Sequence, residues 1–406
     1  MLTEHKIAKY SYEIGPIRPP SEGQDRSLLI RATRNCPWNR CEFCGTYKGR
    51  RFELRSIDEI KQDIDVACAL ADEIRATSWK QGCSGSITNE VVVAMVRDNP
   101  GVYDQSMERE ELQDRLNSLG NVASWLSSGG RTAFLQDGDS PIMKTPQLTD
   151  ILRYLKEKLP TIERITSYAR SKTISRKTVE ELKQLHQAGL SRLHLGLESG
   201  SDAVLQEMQK GVTAAGHIKA GRNVIESGIS LSEYVMPGLG GKRWSEQHAL
   251  ETAHVLNAIG PDFIRLRSLV VRGRIPLRER ALAGDFEPLT EDEVVAEIGL
   301  LVSNLDCESY LASDQMSNLL GEVEGRLPED KERILGIIGA YQSMSPTERL
   351  AFRFQRRLHS YLAVYGDLQG EMEAKVQQAY EALRREEPES ETLVNQTIDA
   401  LKMGFI

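Results

Sequence analysis

The stretch "RNCPWNRCEFCGTYKGRR", residues 34–51, puts Cys36, Cys41 and Cys44 inside nine residues of a 406-residue chain that holds six cysteines in all. An odd cluster cannot pair within itself, and Cys68, Cys83 and Cys307 stand singly elsewhere. The opening "MLTEHKIAKYSYEIG" lacks the apolar core of a signal peptide, and no apolar run reaches the ~18 residues of a membrane span. The chain therefore reads as cytoplasmic, without a membrane partner. In that compartment clustered thiols stay reduced and serve metal or redox chemistry.

Zinc and iron–sulfur then compete for the three thiols. A structural zinc site takes four ligands, commonly as two pairs. Here one CxxC, Cys41 and Cys44, has a single extra cysteine five positions upstream and no fourth ligand nearby. Iron–sulfur clusters are also held by closely spaced thiolates, and a four-iron cluster on three of them leaves one iron open to a substrate or cofactor. Pro37 stiffens the loop, and Gly45 lets backbone approach a bulky inorganic group. The spacing favours iron–sulfur and leaves zinc open.

Working outward, composition is ordinary, 40% hydrophobic and 27% charged, enough for one large domain and an accessory piece. A net charge of −8 gives no global attraction to nucleic acid or anionic membranes. Short apolar runs recur, each followed by a helical pattern. "SLLIRAT" (27–33) precedes the cysteine loop, and "SIDEIKQDIDVACALADEI" (56–74) reads as a helix with Ser56 as N-cap and Glu59 at N3. "TAFLQD" (132–137) leads to a helix capped by Thr145 with Pro146 at its first position. "RITSYA" (164–169), "SRLHLGLES" (191–199), "SLSEYVMPG" (230–238) and "DFIRLRSLVV" (262–271) supply four more strands with helices between them. Six βα repeats predict an α/β fold, a partial (β/α)6 TIM-like barrel. A helical insertion falls at about 78–131, residues 1–24 form an N-terminal extension, 25–275 the barrel, and 276–406 an α-helical accessory region. In such barrels chemistry gathers at the C-terminal ends of the strands, where the cysteine loop sits.

At this point the residues resemble the radical S-adenosylmethionine (SAM) superfamily. Its hallmark is a three-cysteine loop after the first strand with an aromatic before the last cysteine, a place that Phe43 fills. "LGLESGSDAVLQEMQKGVT" (195–213) is similar to the branch containing oxygen-independent coproporphyrinogen oxidases, methylthiotransferases and the Elongator catalytic subunit. "CPWNRC" departs from the commonest spacing, with four residues between the first two cysteines rather than three. The resemblance implies one [4Fe-4S] cluster on Cys36, Cys41 and Cys44, whose open iron chelates SAM. It implies an oxidoreductase in which reduced flavodoxin or ferredoxin drives SAM cleavage to a radical that abstracts a substrate hydrogen. It places the SAM amino group near Asp137, Gly138 and Asp139, its carboxylate near Ser167 and Arg170, its ribose near Glu198 and its adenine near the turn at Gly238.

Strand parity adds a reading independent of the family. With Glu198 inward, Arg192, His194 and Gly196 share its face. Arg265 and Arg267 share one face of the sixth strand, opposite Ile264 and Leu266. A barrel lined by His194, Arg265 and Arg267 expects an anionic guest, and the bland alternative pairs the arginines with Glu198 or Glu233. The leading expectation is a radical SAM enzyme on an anionic small molecule or peptide. RNA modification is the alternative, since "KGRRFELR" and "RLRSLVVRGRIPLRER" offer phosphate contacts. A non-catalytic carrier of cluster or cofactor is the third.

Overall fold

The apolar run around residue 28 forms β1 (Leu28–Arg31), and the chain then pairs β2 (Thr33–Arg34) antiparallel with β3 (Glu53–Leu54). The three-cysteine loop therefore hangs from a two-stranded ribbon. The computed structural model describes residues 10–20, 26–104, 106–368, 370–385 and 388–402. Residues 1–9 and 21–24 of the expected extension, and 403–406 of the accessory region, lie outside them.

Helix α1 (Ile57–Lys80) opens on the expected capping box of Ser56 and Glu59. It buries Ile60, Ile64, Ala67, Ala71 and Ile74, spaced three or four apart, so one stripe faces the core. The interruption at 78–131 contains α2 (Asn89–Asp98) as well as the expected helix, α3 (Arg109–Ser127). The βα rhythm follows with β4 (Thr132–Gln136), α4 (Thr145–Lys158), β5 (Arg164–Ala169), α5 (Ser171–Ile174) and α6 (Val179–Gln187). It continues through β6 (Leu190–Glu198), α7 (Asp202–Glu207), α8 (Ala214–Glu226), β7 (Ser230–Val235), α9 (Gly241–Ile259) and β8 (Phe263–Leu266). One cap differs from expectation. Thr145 is the first residue inside α4, Lys144 is its N-cap, and the Thr145 hydroxyl donates instead to Glu181 Oε1 at 3.1 Å. A tertiary acceptor has taken the group that local capping would use.

After β8 the chain is not only helical. Beyond α10 (Pro276–Ala283) and α11 (Glu291–Ser303) come β9 (Ser309–Ala312) and β10 (Gly325–Leu327). The eight-stranded sheet runs β1-β4-β5-β6-β7-β8-β9-β10, so two strands extend the six that the sequence pattern shows. Pairing is parallel for β1–β4, β4–β5, β5–β6 and β8–β9, and antiparallel only for β9–β10 among the registered pairs. On β6 the partner of β5 jumps from Leu190 to Arg192 between Ile165 and Thr166, an irregularity that shifts side-chain parity there. Helices α12 (Lys331–Gln342), α13 (Pro346–Tyr365), α14 (Glu371–Arg385) and α15 (Pro388–Lys402) complete the chain. Leu350, Phe354, Leu358, Val376, Ala379, Val394 and Ile398 give the last three helices a core of their own.

The chain divides into two compact units. The first comprises Met1–Asn39, Tyr47–Gly196 and Lys219–Ser232, and the second Arg40–Thr46, Leu197–Ile218 and Glu233–Ile406.

Candidate functional site

In the first unit the stem of the cysteine loop is held by two asparagines in the left-handed region, Asn35 (φ 67°) and Asn39 (φ 50°). Among side-chain-bearing residues asparagine tolerates that region best. Asn35 Nδ2 donates to the Arg51 carbonyl at 2.6 Å. Asn39 Nδ2 donates to the carbonyls of Tyr47 and Arg50, so its amide staples the loop's outgoing side to its incoming one. Beneath the stem, Arg31 donates to Asp137 Oδ2 from Nε (2.9 Å) and Nη2 (2.6 Å), and the Asn35 N–H reaches the same oxygen at 3.0 Å. Glu13 accepts from Arg31 and Arg34 and pairs with Arg55, whose Nη1 also meets Asp63 Oδ2 at 2.6 Å. Those arginines lower the Glu13 carboxyl pKa against burial, which alone would raise it. Residues 10–20, expected as an extension, are built into this network through Glu13.

Asp139 is also buried in the first unit. Its carboxylate accepts from the Arg170 N–H at 3.1 Å and from the Thr173 hydroxyl at 2.6 Å, tying the turn after β4 to the start of α5. Burial pushes its pKa up to about 6 despite these donors. The Arg170 guanidinium lies 5.1 Å from the ring centre of Trp38, in the cysteine loop. Ser167 is fully buried and donates to the Leu135 carbonyl at 3.0 Å. Gly138 has open space where a Cβ would stand. His194 is buried, with its ring 5.6 Å from that of Tyr168.

The second unit holds the middle of the loop. The Glu42 N–H donates to the Met208 carbonyl (3.1 Å), the Leu277 N–H donates to the Glu42 carbonyl (3.0 Å), and Gln209 Nε2 donates to the Glu42 carboxylate. Phe43 packs on the apolar cluster of Val204, Met208, Leu239 and Ile275. Lys210 Nζ sits 5.6 Å from the Phe43 ring centre and 2.9 Å from Glu198 Oε1. Glu198 itself has φ 62°, an uncommon backbone for a glutamate and a strained one. Glu233 is fully buried and its pKa is raised by burial first and then by the charge of Glu198. Gly238 has φ 85°, and its N–H donates to the buried Glu297 at 2.6 Å, so helix α11 holds that turn. His248 joins the same polar group, 2.8 Å from the Ser199 hydroxyl.

The two arginines of the sixth strand are not equivalent. Arg265 is buried and pairs with Asp314 at 3.0 Å. Arg267 lies past the end of β8 and is exposed. Sequence reading passed over Lys210, Arg31, Glu13 and Glu297. Lys210 lies within the quoted family stretch, but its partner was visible only in three dimensions.

None of the six cysteines is in a disulfide. Among the described residues no three of His, Cys, Asp and Glu converge tightly enough to share one metal ion. No helix among the described residues is long and apolar enough to cross a membrane.

Comparison with known proteins bears on the strands after this loop. Residues 82–253 match the model of the radical SAM superfamily, whose members use a [4Fe-4S] cluster and SAM. A tRNA uridine(34) acetyltransferase of Methanocaldococcus infernus is 26% identical over 120 residues, 29% of this chain and 22% of that protein. Its counterpart in Methanocaldococcus jannaschii is 25% identical over 117 residues, again 29% and 22%. The chain therefore spans about a fifth of the length of these curated relatives. Among solved structures, methylornithine synthase aligns over 79% of this chain and 71% of its own, at 13% identity and TM-score 0.41. Coproporphyrinogen III oxidase from Escherichia coli aligns over 70% and 54%, at 14% and 0.40. The family match covers β4 through β7 and the Glu198 turn.

Proposed function

We propose that the protein is a radical SAM enzyme acting on a substrate with an anionic group, carboxylate or phosphate. The observation that carries this reading is the three-cysteine loop stapled at the C-terminal ends of strands in a chain with a radical SAM domain. Cys36, Cys41 and Cys44 would hold the cluster, and residues 25–275 would form the catalytic part. When bound, the cluster supplies the electron for reductive cleavage of SAM, drawn from reduced flavodoxin or ferredoxin in the cytoplasm. The chain's own residues orient the reactants. Arg170, stacked on Trp38, offers a cation beside the loop. Glu198, steadied by Lys210, offers a carboxylate oxygen to a ribose hydroxyl. Arg265, already paired with Asp314, and Arg267 would meet the anionic group. The charge of Arg267, after burial, lowers the pKa of Arg272, so these cations favour an anion beside them.

The test is anaerobic reconstitution with iron and sulfide, then incubation with SAM and reductant. Release of 5′-deoxyadenosine is expected, together with loss of iron in Cys36→Ala, Cys41→Ala and Cys44→Ala but not in Cys68→Ala, Cys83→Ala or Cys307→Ala. Stoichiometric zinc without iron overturns the proposal.

RNA modification is the second reading, favoured by the tRNA-modifying activity of the two curated relatives. The segment from Arg267 to Arg280 would supply its phosphate contacts. Salt-sensitive tRNA binding lost in Arg267→Met and Arg272→Met supports it. Iron without deoxyadenosine release would point to a carrier.

A further inference from the structure

We propose that Asp137 is a positioning residue for the cysteine loop, aiming Cys36 through the backbone of Asn35 rather than holding a cofactor's amino group. The side chain is fully buried, and Oδ2 already accepts three hydrogen bonds, two from Arg31 and one from the Asn35 N–H. Asn35 directly precedes Cys36 at φ 67°, in the left-handed region that asparagine tolerates, and the Asp137 bond on one side and the Asn35 Nδ2–Arg51 bond on the other hold it there.

The opposite end of the loop faces the same carboxylate. Tyr47, three residues past Cys44, is buried, and after burial the charge of Asp137 is the main cause that raises its phenol pKa. The Tyr47 carbonyl in turn accepts from Asn39 Nδ2, which ties that end of the loop back to its start. The N-terminal segment seals it from above. The Gly15 N–H donates to Gln136 Oε1 at 2.9 Å, and a Cβ on Gly15 would collide with Asp137 Oδ1. Arg31 is shared between Asp137 and Glu13, and the fully buried Asp137 Oδ1, packed against Gly15, has no hydrogen-bond partner among the described residues.

The inference rests on the proposed function only in taking this loop as the cluster loop, and its test needs no cluster. Iron-free, full-length protein is digested briefly with trypsin, and cleavage at Arg40, Lys48, Arg50 and Arg51 is followed by mass spectrometry against cleavage in α14. When opening is fast, such cleavage follows the population of the open loop. Losing charge-assisted hydrogen bonds predicts a rise of about tenfold or more in Asp137→Ala. Asp137→Asn, which can still accept from Asn35, should fall between Asp137→Ala and wild type. Gly15→Ala, which forces the carboxylate aside without touching the loop, should also speed loop cleavage. Loop cleavage at the wild-type rate in Asp137→Asn and Gly15→Ala overturns the proposal, whether or not Asp137→Ala folds. Faster loop cleavage in a protein that never takes up iron leaves the positioning role standing and removes the enzyme reading instead.

Discussion

Glu198 offers a test in which two small side chains should rank against their usual order. At an ordinary strand position glycine is less stable than alanine by about 0.5–1 kcal/mol, because it loses more backbone freedom on folding. At φ 62° the ranking changes. A left-handed conformation costs a residue with a Cβ about 1–2 kcal/mol, and glycine is spared this. Both Glu198→Ala and Glu198→Gly lose the carboxylate and leave Lys210 without its 2.9 Å partner, so that loss is common to the two. The pair is 14% and 12% exposed, and breaking it should cost each variant about 1–3 kcal/mol. Subtracting the entropy term from the strain term leaves Glu198→Gly more stable than Glu198→Ala by about 0–1.5 kcal/mol. Urea unfolding of the iron-free variants measures the difference. Calorimetric titration of the reconstituted proteins should show SAM affinity down about tenfold or more in both, for loss of the charge-assisted bond to ribose. A glycine variant less stable than the alanine variant would refute the strain argument. Unchanged SAM affinity would mean that another carboxylate serves the ribose.

Two further outcomes follow from buried groups. Asp139 titrates near pH 6 when folded against an ordinary carboxyl value of 3.8, so the folded state holds its proton more tightly than the unfolded chain does. Its contribution to stability is then largest below about pH 4 and falls by about 3 kcal/mol as pH rises through 6; in Asp139→Asn, unfolding measured from pH 4 to 7 should lose that slope. Phe354 is fully buried in the core of α13, α14 and α15. Phe354→Ala should destabilise that region by about 3–5 kcal/mol, seen as faster hydrogen exchange in α15 with unchanged exchange in α1.

The six strands of the βα repeat, β1 and β4 through β8, were legible because each is a run of four to nine residues rich in apolar positions, and two of the helices between them open on a capping box. The Ser56–Glu59 and Thr178–Glu181 boxes need only residues three apart. Strands β9 and β10 were not legible. Each is three or four residues long, within a charged helical stretch, and exists because Tyr310 finds Phe263 and Arg326 finds Tyr310 across the sheet.

The candidate site divides the same way. Cys36, Cys41 and Cys44 announce themselves by their spacing on one loop. The neighbours of that loop could only come from the fold. Asp137 meets Arg31 across 106 residues of sequence and Gln209 meets Glu42 across 167. Parity, which put Arg265 and Arg267 together, fails where β8 ends at Leu266 and Asp314 arrives to neutralise one of them. By itself the sequence showed the thiol spacing, the βα repeat and the resemblance of the central domain, all of which depend on residue type and local spacing. Which charge answers which, and so which polar residues are left to meet a substrate, was decided by tertiary structure, because an ion pair depends on distance in space and burial.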